Sequence, residues 1–487
     1  MRLLALLPLW GSALAWSPSP ACQAVADAFC ARDCAPAIAA KCRAQGAAAL
    51  ARKSGPMPTE WRCYSPGALA NNETYARGTC YCSRDAQIRA QLQACGDPDP
   101  SPPPAPPSPS PPLPPLPEPP VPYLSSGLPS TNVFWRGQQA ADGTVYPCVR
   151  IPSLLQAGGG ALLAFAECRL QTGDGCFPVN YTSSGRRDVC MRRSVDAGRS
   201  WGPLQVLVRG AMQNTPVYDA ARGAVVLSLN VDSPGAGNAQ LVSLDNGASW
   251  GQVQPLARFL GPLDGADVGP GVGLQLSATH PLAPGRLLFI GHRGAYVEDV
   301  VWFSDDGGAT YNVSTTPAGR TLPRMDEAQL VELASGAVLA SMRNEVAQPP
   351  GSPAPHLRAT AVSMDGGATF SAPSFDPALP EPVCQASIVR APPPRGDGNV
   401  YFVNPGQATG RVSGRVRRSR ACAGPAACTW DAKTLVVAQG APFAYSCLAP
   451  MNTTHMGLLW ETGAPGCSED SNACLQVFSI VPLSAFD

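Results

Sequence analysis

"SVDAGRSW" (Ser194–Trp201) recurs as "SLDNGASW" (Ser243–Trp250), "SDDGGATY" (Ser304–Tyr311) and "SMDGGATF" (Ser363–Phe370). The shared pattern, Ser-x-Asp-x-Gly-x-Ser/Thr-aromatic, has the parts of a tight hairpin turn: an aspartate that bonds nearby backbone, a glycine that accepts positive φ, and an aromatic ring to pack on the sheet. Between the copies lie runs such as "GAVVLSLNV", "GRLLFIGH" and "GAVLASMR", which read as strands entered through glycine turns. A spacing of about 50 to 60 residues suits four strands per unit, and the roughly 365 residues that carry the copies hold six such units. The prediction is an all-β, six-bladed β-propeller. The repeat aspartates are then turn formers, not acids or metal ligands, and the repeat speaks to fold alone.

Upstream, the chain changes character. Met1 and Arg2 precede an apolar run from Leu3 to Trp10, and Ala13 and Ala15 frame a small-residue cleavage site, so residues 1–15 read as a secretory signal peptide. Residues 16–96 hold eight cysteines, and "CQAVADAFCARDCAPAIAAKC" sets Cys30 and Cys34 on one helical face. A small, stapled, partly helical module is expected, serving wall or carbohydrate attachment or acting as a pro-segment. Residues 97–122, "DPDPSPPPAPPSPSPPLPPLPEPPVP", lack the donors that a helix or sheet interior needs and read as a polyproline II spacer of roughly 80 Å. The propeller is assigned to residues 123–487.

Lysine plus arginine (35) equals aspartate plus glutamate (35), so net charge gives no general attraction to nucleic acid or to an anionic membrane. No later stretch reaches about 18 uninterrupted apolar residues, and no membrane insertion is expected. Eighteen cysteines in an exported chain point to disulfides, and His280, His292, His356 and His455 show no zinc spacing, so neither metal nor cofactor is expected. Sequons at Asn72, Asn180, Asn312 and Asn452 agree with a secretory route. Secretion of a monomer is the expectation, with a cell wall or lysosome-like compartment as alternative destinations.

"YPCVRIPSLL" (Tyr146–Leu155) places a guanidinium inside an apolar strand. Arg150 therefore needs a carboxylate from its own chain or from a ligand. Together with the four repeats, "VRIPSLL" resembles the exo-sialidase (neuraminidase) family, six-bladed propellers that remove terminal sialic acids through a covalent tyrosyl intermediate with retention. The resemblance spans about residues 130–485. It implies a glycoside hydrolase acting on sialylated glycoproteins, glycolipids or oligosaccharides, with the substrate carboxylate gripped by Arg150, by Arg343 in "GAVLASMR" and by Arg411 in "FVNPGQATGRVSGRVRRS". From "LLAFAECRLQTGDG" it assigns Arg169 a supporting place and Asp174 the acid/base role; from "DEAQLVELASG", Glu327 as the partner of the nucleophile. From "FAYSCLAPMNTTHMGLLWE" it assigns Tyr445 as nucleophile and Glu461 as the carboxylate bracing Arg150.

The chemistry is coherent. Three guanidiniums hold a carboxylate by charge-assisted hydrogen bonds, and a neutral tyrosine escapes the repulsion that a carboxylate nucleophile would meet beside it, provided a base removes its proton. A binding-only propeller would be expected if Asp174, Glu327 or Tyr445 were missing; all are present. A structural wall protein gives no reason for three such arginines, and a trans-sialidase would use the same residues with an added acceptor site. The cysteines around the site are expected to pin its loops through disulfides, Cys422 with Cys428 closing "ACAGPAACTW", where a fifth repeat has decayed, and the long loop after Asp174 carries the Asn180 sequon.

Overall fold

The structure, a computed structural model, describes residues 117–122, 126–170, 186–232, 237–293, 298–316, 322–347, 355–391, 397–422, 428–463 and 475–487. The signal peptide, the cysteine-rich module, most of the spacer and the 171–185 loop with Asp174 and Asn180 lie outside these residues.

Six antiparallel sheets follow one another along the chain, each a blade. Blade 1 runs from Cys148–Gln156 through Leu162–Arg169 and Arg187–Ser194 to Gln205–Arg209, and blade 2 from Ala211–Asp219 to Gln254–Pro255. Blade 3 pairs Leu287–Arg293 with Glu298–Ser304, its first strand being split into Asp267–Val268 and Leu274–Gln275. Blade 4 spans Met325–Glu332 to Ser374–Pro380, and blade 5 is built on Ser387–Arg390, Val400–Pro405 and Gly414–Ala421. Blade 6 takes Ser446–Pro450, His455–Thr462 and Leu475–Pro482, and its outer strand is Ser130–Trp135 from the start of the propeller. Closure through that strand removes the free edge a linear array would leave. The expected fold is thus the observed one.

Each pair of neighbouring blades encloses its own apolar cluster, because alternate residues of a strand face opposite neighbours. Leu287, Phe289 and Trp302 of blade 3 pack with Val217 and Val226 of blade 2, whereas Leu288, Ile290 and Val301 pack with Met325, Leu330 and Val338 of blade 4. A strand covered on both faces must be apolar at nearly every position, and "LLFIG" is.

The repeats cap the third strands of blades 1 to 4. In all four, the serine hydroxyl donates to the aspartate Oδ1 at 2.8 Å. The same aspartate accepts from the backbone N–H and from the hydroxyl of the Ser or Thr four residues on. These bonds, led by that hydroxyl, hold the Asp196 and Asp245 carboxyls down to about 2. A side chain on the repeat glycine would strike the preceding blade: Phe478 of blade 6 for Gly198, Leu163 of blade 1 for Gly247, Leu288 of blade 3 for Gly367. The turn is a wedge between blades as well as a hairpin.

At the corresponding place in blade 5 a Cys422–Cys428 disulfide closes the loop, as expected, and Cys148 is also disulfide-bonded. The expectation that disulfides pin the surrounding loops is corrected for Cys168, Cys190, Cys384 and Cys447, which are free and buried. Cys168 lies opposite Asp188 and Cys190 opposite Ala166, so the two thiols are not direct cross-strand partners, and together with Cys447 they fill the apolar cluster between blades 6 and 1.

Candidate active site

The first strands of the blades surround the axis, and several are irregular where they approach the site. Registers slip between Arg150 and Ser153, between Met212 and Thr215, and between Asp326 and Ala328. At these slips Ile151 (φ 61°), Gln213 (φ 51°) and Glu327 (φ 31°) take positive φ, as does Val383 (φ 54°) ahead of blade 5. A bulge re-aims the side chains beside it, and non-glycine residues in this region cost of order 1–3 kcal/mol each. Strain concentrated on inner strands at one end marks that end as the working face.

Arg150 is buried and meets Glu461 side-on, Nε to Oε1 at 3.1 Å and Nη2 to Oε2 at 3.3 Å. Glu461 also accepts the backbone N–H of Ile151 at 2.8 Å and of Tyr445 at 3.2 Å. One buried carboxylate from blade 6 thus fixes the first arginine, the bulge that follows it, and the backbone carrying Tyr445. The Arg150 guanidinium lies 4.7 Å from the Tyr445 ring centroid and that of Arg411 5.7 Å from it, within cation–π range.

The Tyr445 hydroxyl donates to Glu327 Oε1, while Arg343 Nη1 donates to Glu327 Oε2 at 2.6 Å and to the Tyr445 oxygen at 3.2 Å. Burial, then the Glu327 charge, pushes the Tyr445 hydroxyl well above the usual tyrosine range, against the pull of Arg343, Arg150 and Arg411. Burial works against ionisation of Glu327 too, yet the Arg343 guanidinium foremost outweighs it and holds that carboxyl below the usual glutamate range. The resting pair is a protonated tyrosine against an ionised glutamate, the state a general base requires.

Arg343 and Arg411 line a cavity of about 340 Å³ with His356, Pro382, Val383, Ala408, Thr409 and Gly410, and Arg411 is anchored by Nη2 on the Val383 carbonyl at 3.2 Å. Among the described residues lining it there is no carboxylate side chain, so this part of its polar wall suits an anion. Arg169 is a further buried arginine, on the second strand of blade 1. It is buried in an ion pair with Glu167 at 2.6 Å, and Glu167 in turn accepts the Gln213 N–H at 2.6 Å and lies opposite Arg150 in the sheet.

Sequence reasoning missed the scaffold behind these groups. Arg358, fully buried, donates to the Glu327 and Cys384 carbonyls and to Glu381. A signal existed, since Arg358 interrupts an apolar strand in "HLRATAV" just as Arg150 does in "CVRIPSLL". Also unseen were Asp326, Glu345 and His292, buried around Arg343.

Comparison with known proteins agrees with this architecture. The BNR repeat-like domain family matches residues 180–455. A sialidase of Micromonospora viridifaciens is 29% identical over 355 residues, 65% of this chain and 50% of that protein; mouse Sialidase-3 is 27% identical over 290 residues, 52% and 64%. The chain therefore spans about half the length of the bacterial relative. Among solved structures, a leech intramolecular trans-sialidase complexed with 2,7-anhydro-Neu5Ac superposes with a TM-score of 0.60 at 16% identity, covering 74% of this chain and 71% of that one, which establishes the shared fold. With strained inner strands and turn-capped blades on one side and this match on the other, the chain belongs to the BNR repeat-like domain family.

Proposed function

We propose that the propeller is an exo-sialidase that hydrolyses terminal α-ketosidic sialic or related nonulosonic acids on glycoconjugates. The observation that carries this reading is the Tyr445–Glu327 hydrogen bond set among Arg150, Arg343 and Arg411. A tyrosine base-paired to a buried carboxylate and flanked by three guanidiniums has little use in a purely structural propeller, and the matched relatives are sialidases.

The arginines take the sugar carboxylate, which sits on the carbon to be attacked. The Tyr445 oxygen bonds to that anomeric carbon as its proton passes to Glu327, and the glycosidic bond breaks with its electrons leaving on the aglycone oxygen. Asp174, given the acid/base role by the family resemblance, donates a proton to that oxygen. In the second half Asp174 takes a proton from water, the hydroxide oxygen bonds to the anomeric carbon, and the tyrosyl bond breaks as Glu327 returns the proton. Two inversions retain configuration, with tyrosine in the place most glycosidases give to a carboxylate.

The test is release of the fluorophore from an α-sialoside by the secreted chain, with proton NMR of the first sugar anomer formed. Turnover with α product first, lost in Tyr445→Phe, is the expected result. A folded protein that binds sialic acid without turnover would instead be a binding propeller, and 2,7-anhydro sugar as sole product would identify an intramolecular transferase.

A further inference from the structure

We infer that Asp326 and Glu345 are positioning residues of this site, a carboxyl pair behind Arg343 that leaves its guanidinium available to a substrate carboxylate only while the pair retains a proton. The inference rests on the sialidase reading for its substrate, but the pair itself is a matter of geometry.

Arg343 is approached by three carboxyl groups. Glu327 Oε2 accepts from Nη1 at 2.6 Å; Glu345 Oε1 lies 2.7 Å from Nε; Asp326 Oδ2 lies 3.5 Å from Nη1. Only the first of these is an aligned hydrogen bond. Among the described residues, none of the four oxygens of Asp326 and Glu345 accepts a well-aligned hydrogen bond; the Glu327 N–H and the other carboxyl of the pair are what face Asp326, and both residues are buried. Buried carboxylates ordinarily collect well-aligned donors, so an ionised pair here would be two poorly solvated charges side by side. A proton shared between the two carboxyls removes that difficulty.

The surroundings favour the same state. From the neighbouring strand of blade 3, His292 Nε2 stands 3.2 Å from Asp326 Oδ1 and 3.8 Å from Asp267 Oδ2, and burial holds its imidazole below the usual histidine range, toward the neutral form. Asp299, fully buried one strand further out, adds a carboxyl that Asp326, Glu327 and Glu345 all hold up after burial. Arg358 faces the group from the third strand of blade 4, but is held by Glu381 and by three carbonyls. Tyr445 closes the front. Burial first, then the mutual charge among these groups, raises Asp326 and Glu345 each to about 8.

With one proton shared by the pair, Arg343 faces two negative charges, that of Glu327 and the single charge of the pair. With both acids ionised it would face three, which would draw the guanidinium inward and repel an incoming carboxylate. The signature is therefore in substrate binding and lies on the alkaline side.

The experiment measures KM and kcat for a fluorogenic sialoside between about pH 5 and 10 in wild type, Asp326→Asn, Glu345→Gln and the double variant. An infrared titration of the carboxyl C=O band of each whole protein runs in parallel. Wild-type KM should climb toward about tenfold per pH unit above pH 8, and this rise should be absent from each single variant, where the remaining acid has lost its like-charged neighbour and is already ionised below that range. The band lost on alkaline titration of wild type should be absent from the double variant. KM profiles that superimpose, or identical infrared titrations, would overturn the inference. Should the double variant fail to fold, the two single variants decide it by the same criteria. Absence of sialoside turnover in wild type would refute the functional reading, and the infrared comparison would still decide the pair.

Discussion

Tyr445 and Glu327 meet across the axis from blades 6 and 4, hydroxyl to carboxylate, and the carboxylate keeps its charge because Arg343 occupies its other oxygen. The tyrosine is thus joined to its base before any substrate arrives. Removing the base while keeping the shape separates the two contributions.

In Glu327→Gln the amide still accepts from Tyr445 but takes no proton. The expected outcome is a fall in kcat of about 10²–10⁴-fold that exceeds any rise in KM. Steady-state kinetics with an α-sialoside checks it; equal changes in both constants would make Glu327 a binding residue instead.

Glu461 accepts from Arg150 and from two backbone N–H groups while fully buried. Glu461→Gln replaces one acceptor oxygen by a donor facing other donors and leaves Arg150 without its counter-ion. A loss of about 3–5 kcal/mol is expected, as for one partner removed from a buried pair. Urea denaturation reads it, and a change below about 1 kcal/mol would contradict the central place given to Glu461.

Gly367 and Gly440 both hold positive φ, but a side chain at Gly367 would meet Leu288, whereas nothing lies within 4 Å of the Gly440 position. Gly440→Ala should cost about 1–2 kcal/mol for the backbone alone, and Gly367→Ala a further 1–3 kcal/mol or so for overpacking. Melting temperatures of the two variants give the difference directly, with kcat unaffected in either.

Burial raises the Asp299 carboxyl well above the usual range, chiefly through desolvation and then through Asp326. The unfolded chain therefore releases this proton first, near pH 4, and wild-type stability falls as pH rises from there. Asp299→Asn has no such proton. Its stability relative to wild type should increase with pH by up to about 1.4 kcal/mol per unit above pH 4, checked by denaturation at pH 4, 6 and 8. A pH-independent difference would mean that Asp299 is ionised in the fold.

The blades were legible because the repeat states its own turn chemistry: Ser194, Asp196 and Gly198 make the bonds that their residue types imply, and three more copies set the period. Arg150 stood out as a guanidinium inside an apolar strand, whereas Glu327, Arg343, Tyr445, Arg411 and Glu461 were legible only through resemblance, and the six do converge. What stayed hidden depends on the bulges. Strict alternation would send Asp326 and Glu327 to opposite faces, but the register slip at Glu327 lets both reach Arg343, so adjacency in the chain became adjacency in the site. His292 and Glu345 arrive from other strand ends, and no local pattern announces such a meeting.

Blade 6 also has a mechanical character. Ser130 pairs with Ser479 and Trp135 with Leu475, so the strand that closes the ring starts beside the place where the final strand runs out toward the carboxyl terminus. Tension applied between the two ends of the propeller would therefore peel this pair apart one rung at a time rather than shear all its rungs together. The clasp is a zipper, and the first thing a stretched chain would surrender is the outer edge of the blade that carries Tyr445 at its inner one.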